Sequence, residues 1–420
     1  MKRKVMMQFQ LKLATMLISA VVLAGCGGSS GGGGDTILIF DNFQAASVVV
    51  GQVDFDQIGD NQGGAAAGVN TVSDLFGNPV VHKDILYLPD KGNSRVLGFD
   101  GIPDINGAPA DFVLGQPDFT TTAPALNEDG MNSPGSLSVD DDKLFLSDYA
   151  FNRITIYDPV PIAGPGSASV VVGQANFTTG VSGDGDSGLD HPSRSIAVDG
   201  KLIVSDTDNN RVMIWNIIPA GNGVAADIVL GQDAFTMLAP NDDDQNGAED
   251  AAPSARTLNG PTCVWSDGTK LVVQDRLNNR VLIWDTFPIA NFTPADVVLG
   301  QADFVSNAAN DVDQDGVSDL TPSASTFNFG LSGAVFSKDG QLFVADHGNN
   351  RVLIWDTFPT TNFAPADVVL GQDAFDEALA NTGGAPSATT LNGPSGLYVE
   401  GSKLIVADRH NHRYLIYEAL

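Results

Sequence analysis

Leu342-Phe-Val-Ala-Asp346-His-Gly-Asn-Asn-Arg351-Val-Leu-Ile-Trp355 decides the architecture. An apolar run ends in Asp, four residues turn the chain, and Arg opens a second apolar run. Asp90 and Arg95 bracket another copy of this phrase. So do Asp148 and Arg153, Asp206 and Arg211, Asp275 and Arg280, and Asp408 and Arg413. Short β-branched runs around a polar turn read as a hairpin. Copies recurring about every 60 residues read as a repeat architecture.

A second phrase recurs in step. Gly51-Gln52, Gly115-Gln116, Gly173-Gln174, Gly231-Gln232, Gly300-Gln301 and Gly371-Gln372 each close a short apolar run. A Phe follows each Gln at one offset, at positions 55, 119, 177, 235, 304 and 375. The third unit shows the full order. Ser195-Ile-Ala-Val198 is one strand, Asp199-Gly200 a tight turn, Lys201-Leu-Ile-Val-Ser205 the second strand, Arg211-Val-Met-Ile-Trp215 the third and Asp227-Ile-Val-Leu230 the fourth. Four antiparallel strands repeated six times predict an all-β, six-bladed β-propeller. The last unit stops after its third strand, whereas residues 47–52 precede the first complete set. The N-terminal strand is therefore expected to finish the last blade and close the ring.

The repeated polar residues read as structural, because a ligand site does not need six equal copies. Asp and Arg are expected to form a bidentate, charge-assisted pair across each turn. The Asn residues suit left-handed backbone there. Trp215, Trp284 and Trp355 read as packing residues, and Gly-Gln as a strand-end bulge with a side-chain amide bond.

The phrase Val-Ala-Asp-x-x-Asn-Asn-Arg-Val-x-Ile-Trp resembles the NHL repeat, and residues 47–420 resemble a bacterial NHL-repeat propeller. Phe151 and Pro89 depart from the pattern. The resemblance implies a binding or scaffolding module for a protein or peptide ligand. Some six-bladed relatives are lactonases or metal-dependent lyases with a central site, which keeps an enzymatic alternative open. A purely structural envelope protein is a third reading. The five histidines, His82, His191, His347, His410 and His412, have no metal-ligand spacing within a strand. No nucleophile elbow, phosphate loop or His-Glu-x-x-His occurs, so no catalytic set is named.

The N-terminus reads as an export segment. Lys2, Arg3 and Lys4 precede an apolar stretch that ends in Leu23-Ala-Gly-Cys26, the order of a secretory signal. That ending resembles the lipobox of bacterial lipoproteins, which implies a signal peptide over 1–25 and lipidation of Cys26. Residues 26–46 then read as a Gly/Ser-rich tether. Gly27, where that family often has Asp for inner-membrane retention, points to the outer membrane. With Cys26 acylated, Cys263 has no disulfide partner. The chain's formal charge is −30, and the export segment holds four bases and no acid, which leaves −34 for the remainder. Such a surface repels nucleic acid and anionic headgroups. Membrane attachment is expected through the lipid alone, outside the cytoplasm.

Two insertions share one spacing. Asp242, Asp244, Asn246, Ala248 and Asp250 in the first match Asp311, Asp313, Asp315, Val317 and Asp319 in the second, with Gly247 and Gly316 at the sixth position. This resembles the calcium loops of EF-hand and thrombospondin-type repeats, with side-chain oxygens at positions 1, 3, 5 and 9 and a backbone carbonyl at 7. Pro253 and Pro322 replace the bidentate Glu at position 12, so calcium would bind weakly or share a further loop. A solvated acidic loop is the other reading. Both insertions connect a fourth strand to the next first strand, on the face that carries the Asp-to-Arg turns. Variable residues there, Lys91, Tyr149, His191, Arg276, His347, Arg409 and His410, form the candidate binding collar, against the alternative of solvated turns.

Overall fold

The computed structural model describes residues 37–64 and 66–420; the export segment, Cys26 and the Gly-rich run lie outside them. Six sheets of four strands form the described fold, each strand antiparallel to its neighbours. The third blade runs Pro192–Val198, Lys201–Asp206, Arg211–Trp215 and Ile228–Leu230. Its Asp199-Gly200 turn has positive φ at both residues, 50° and 71°, the geometry that matches strand twist. The first strand of each blade is innermost, so neighbouring first strands face one another around a channel. Apolar clusters cross the blade boundaries: Val272 and Ile283 of the fourth blade pack in one cluster with Val335 and Val344 of the fifth. The ring closes as the sequence predicts. Val48–Val50 pairs with Arg413–Glu418, with Val49 opposite Leu415.

Each Asp-to-Arg turn is a fastening with fixed parts. Asp275 and Arg280 are wholly buried, and Arg280 Nε donates to Asp275 Oδ2 at 2.8 Å. The other Asp oxygen accepts the N–H of Asn259 at 2.7 Å. The pair is thus single, not bidentate, because the guanidinium spends its other nitrogens on carbonyls. Nη1 reaches Phe304 O at 2.6 Å, and Nη2 reaches Ser254 O and Thr257 O at 2.9 Å. Each Arg so joins the loop before its blade to the loop after it, and each repeated Phe gives the Arg its carbonyl while its ring packs on an apolar cluster. Before Arg, one residue takes left-handed φ in every copy: Ser94, Asn152, Asn210, Asn279, Asn350 and His412, between 48° and 55°. The Gly-Gln amide clamps that residue. Gln301 Nε2 donates to Asn279 O at 3.1 Å and Ala308 O at 2.9 Å. Gly300 has φ 87°, and a Cβ there would sit 2.2 Å from Phe327, so only glycine fits.

The propeller starts earlier than residue 47. Asn42 Oδ1 accepts the N–H of Val369 at 2.8 Å, and Phe43 N–H returns to Val369 O at 2.9 Å. The same hook recurs where Asn362-Phe363 holds Val298 and Asn291-Phe292 holds Val229. Asn42-Phe43 is therefore the sixth blade's copy of a clamp that covers the outer edge of the preceding blade. Leu38 and Phe40 are buried, and Leu38 exchanges two hydrogen bonds with the Gln341 side chain. Residues 37–46, read from sequence as tether, belong to the folded ring, since an exposed strand edge needs cover.

Candidate functional site

The turns that fasten the blades also present one variable residue each, directly after the Asp. Lys91, Tyr149, Thr207, Arg276 and Arg409 occupy that place in five blades and line one cavity of about 280 Å³ at the channel mouth. Phe76, Ser193, Asp208, Thr262 and Leu331 complete it. Four of the collar residues expected from sequence thus come together.

Their charges are arranged unequally. Asp74 pairs with Arg409 Nε at 2.8 Å and with Lys91. Burial raises the Asp74 carboxyl, but Arg409 and Lys91 outweigh it and hold it below the usual carboxylate range. Arg276 has no carboxylate within pairing distance among the described residues. Its Nη1 donates to Gly330 O at 3.2 Å, and its Nε has no partner. Tyr149 lies with its ring centre 4.8 Å from His191 and 5.7 Å from Phe76. Burial, with the nearby Asp208 charge, pushes its phenol up. His191 Nδ1 lies 2.7 Å from Asp190 and 2.9 Å from Asp208.

His347 corrects the collar reading. It is only 4% exposed, and it packs against His410 with ring centres 5.1 Å apart. Burial pushes its pKa down to about 3, and His410 and Arg409 push the same way. It supports the rim and does not offer itself to a ligand. His82 pairs with Asp142 beside the first blade's opposite turn, and His412 accepts the N–H of Asp74. The histidines do not assemble around the channel.

Arg194 was not visible as a site residue in the sequence. It is fully buried and reaches across the channel from the third blade to carbonyls of Gly333, at 2.7 Å, and Ser395. Its guanidinium lies 5.0 Å from the centre of the Phe76 ring, a desolvated cation–π contact. Ser193 faces the upper cavity and Ser195 a lower one of about 130 Å³, so Arg194 is the partition between them. Asp74, Phe76, Asp190 and Asp208 were missed too. Setting the six turns side by side gives one usable signal: Asp208 is the only acid at the second position after the turn's Asp.

The acidic loops lie on the same face, as expected. Asn241 and Asn310, at their starts, exchange amide hydrogen bonds with the turn residues Asn278 and Asn349. In the first loop, carboxylate oxygens of Asp242, Asp244 and Asp250 fall within 4.8 Å of one another; in the second, those of Asp311, Asp313 and Asp315 do. Asp242 is buried and accepts N–H from Asn246 and Gly247. Asp311 does the same with Asp315 and Gly316. Asp250 and Asp319 instead accept the N–H of Asp243 and Val312, which ties each loop to its own start. A groove of about 1100 Å³ runs beside the second loop, past Asp313 and Asp319.

No protein-family model matches the chain. No curated protein matches it. Among solved structures, it is similar to the computationally designed protein Ika8, at 10% identity over 89% of this chain and 100% of that one, with a TM-score of 0.38. Virginiamycin B lyase from Staphylococcus aureus, selenomethionine-substituted, gives 11% identity over 84% and 97% with a TM-score of 0.41. A catalytically inactive form of that lyase with quinupristin gives 12% identity over the same shares, with a TM-score of 0.39. The six-bladed reading of this chain rests on its own strand pairing.

Proposed function

We propose that this chain is an NHL-type propeller that binds a protein or peptide ligand at its channel mouth. The observation that carries the reading is Arg276, a cavity-lining guanidinium with no carboxylate partner among the described residues and an unpartnered Nε. A guanidinium so placed suits a carboxylate, which it can meet with two parallel hydrogen bonds. Phe76, Tyr149 and Leu331 offer apolar surface beside it. The cavity's size suits a chain end or one acidic side chain, not a folded domain. In the same reading, Cys26 carries a lipid that holds the propeller on the outer membrane, and calcium stiffens the two acidic loops around this face.

Fluorescence anisotropy with labelled short peptides tests it. Peptides with a free C-terminal carboxylate should bind, and their C-terminal amides should bind about tenfold or more weakly, as loss of a charge-assisted pair implies. Equal binding of the two forms, or none by either, would overturn the reading.

A further inference from the structure

Three residues of the third blade break the repeat in the same place. The N–H that caps each turn's Asp comes from Ser73, Asn132, Asn259, Asn328 and Asn392 in five blades, but from Asp190 in the third. The next residue is His191, and the turn beside it carries Asp208. The fold asks for none of these side chains, since the other blades fasten without them.

Their atoms converge on one point. Asp190, His191 and Asp208 each offer one donor atom, and the three atoms lie within 4.8 Å of one another. His191 Nδ1 is 2.7 Å from one carboxylate and 2.9 Å from the other. Yet Nδ1 and Asp190 Oδ1 are buried atoms with no hydrogen-bond partner among the described residues. Donor atoms each about 2.1 Å from one ion and about 90° apart lie about 3.0 Å from each other. The observed separations suit that shared-ion arrangement. The imidazole is held in place, with its ring against Tyr149 and its backbone N–H on Asn152 Oδ1 at 2.8 Å.

We propose that Asp190, His191 and Asp208 bind one divalent transition-metal ion of octahedral preference, through one imidazole nitrogen and two carboxylate oxygens. Mixed nitrogen and carboxylate donors select such an ion over calcium. Asp208 and Tyr149 line the cavity, so the ion sits at its rim and leaves positions for an oxygen or nitrogen of an incoming ligand. The site does not depend on a peptide ligand, and the metal alone tests it.

The experiment is a titration of metal-stripped protein with Mn2+, followed by electron spin-echo spectroscopy. Bound manganese should show nitrogen modulation from a coordinated imidazole, which the acidic loops, having only oxygen ligands, cannot give. His191→Ala and Asp208→Asn should each remove that signal and raise the dissociation constant of this site about tenfold or more. Their metal-free melting temperatures should stay near wild type. No nitrogen modulation, or modulation that persists in His191→Ala, would overturn the site. Metal-free destabilisation of both variants with unchanged manganese binding would show an imidazolium ion pair instead, and would overturn it equally.

Discussion

Val369 donates its backbone N–H to Asn42 Oδ1 at 2.8 Å, across 327 residues of chain. This bond makes the N-terminal segment part of the ring's closure, together with Gln52 Nε2 on His412 O at 2.8 Å and Arg413 Nη1 on Phe55 O. Deleting residues 37–52 should lower the melting temperature of the whole disc, since it removes a strand, the Asn42 hook and the Gln52 clamp. Asn42→Ala alone should cost about 1 kcal/mol, the worth of one hydrogen bond. A deletion that melts at the wild-type midpoint in a calorimeter would remove the closure claim.

The buried Asp–Arg pairs should behave as structure. Arg211 and Asp206 are both fully buried at 2.7 Å. Arg211→Met leaves the Asp206 carboxylate without its cation, which should destabilise by about 3–5 kcal/mol. Chemical denaturation measures this. A loss below about 1 kcal/mol would mean the pair contributes little to the fastening.

His347 gives the rim a dependence on pH. Its folded pKa is pushed down to about 3 from an ordinary 6.5. The unfolded chain therefore binds the proton first as pH falls, and the group's contribution is fully present above 6.5 and is lost between 6.5 and 3. His410 is lowered by burial and Arg409, against the opposing charges of Asp74 and Asp408, and acts in the same direction. Replacing His347 by Gln should flatten the fall in stability across that window by up to about 1.4 kcal/mol per pH unit. Parallel curves for the two proteins would contradict the buried, neutral imidazole.

Calcium should raise the melting temperature through the acidic loops. Asp311→Asn removes one carboxylate from the second loop only, so it should reduce the calcium-induced rise without abolishing it. A melting temperature indifferent to millimolar calcium in the wild type would remove calcium from the account.

Much of the fold was legible because its determinants are local and repeated. The Asp-to-Arg hairpins, the Gly-Gln strand ends and the missing last strand each leave a mark at a fixed offset. The Asn42-Phe43 hook was not read, although Asn291-Phe292 and Asn362-Phe363 repeat it, because its partner lies in another blade. The collar was legible in outline, since the turn position after Asp governs which side chains meet. What could not be read was depth. His347 and Arg409 hold the same place in their turns, yet one is buried against His410 and the other lines the cavity. Arg194 sits in an ordinary strand, and only closure of the ring turns it into a partition.

The repeated residues build the ring, and the unequal ones are proposed to form the site. Arg276 and Arg280 test this division within a single turn. Arg280→Met should lose about 3–5 kcal/mol of stability, whereas Arg276→Met should melt within about 1 kcal/mol of wild type and lose its preference for carboxylate over amide peptides. Full retention of that preference in folded Arg276→Met would contradict the account.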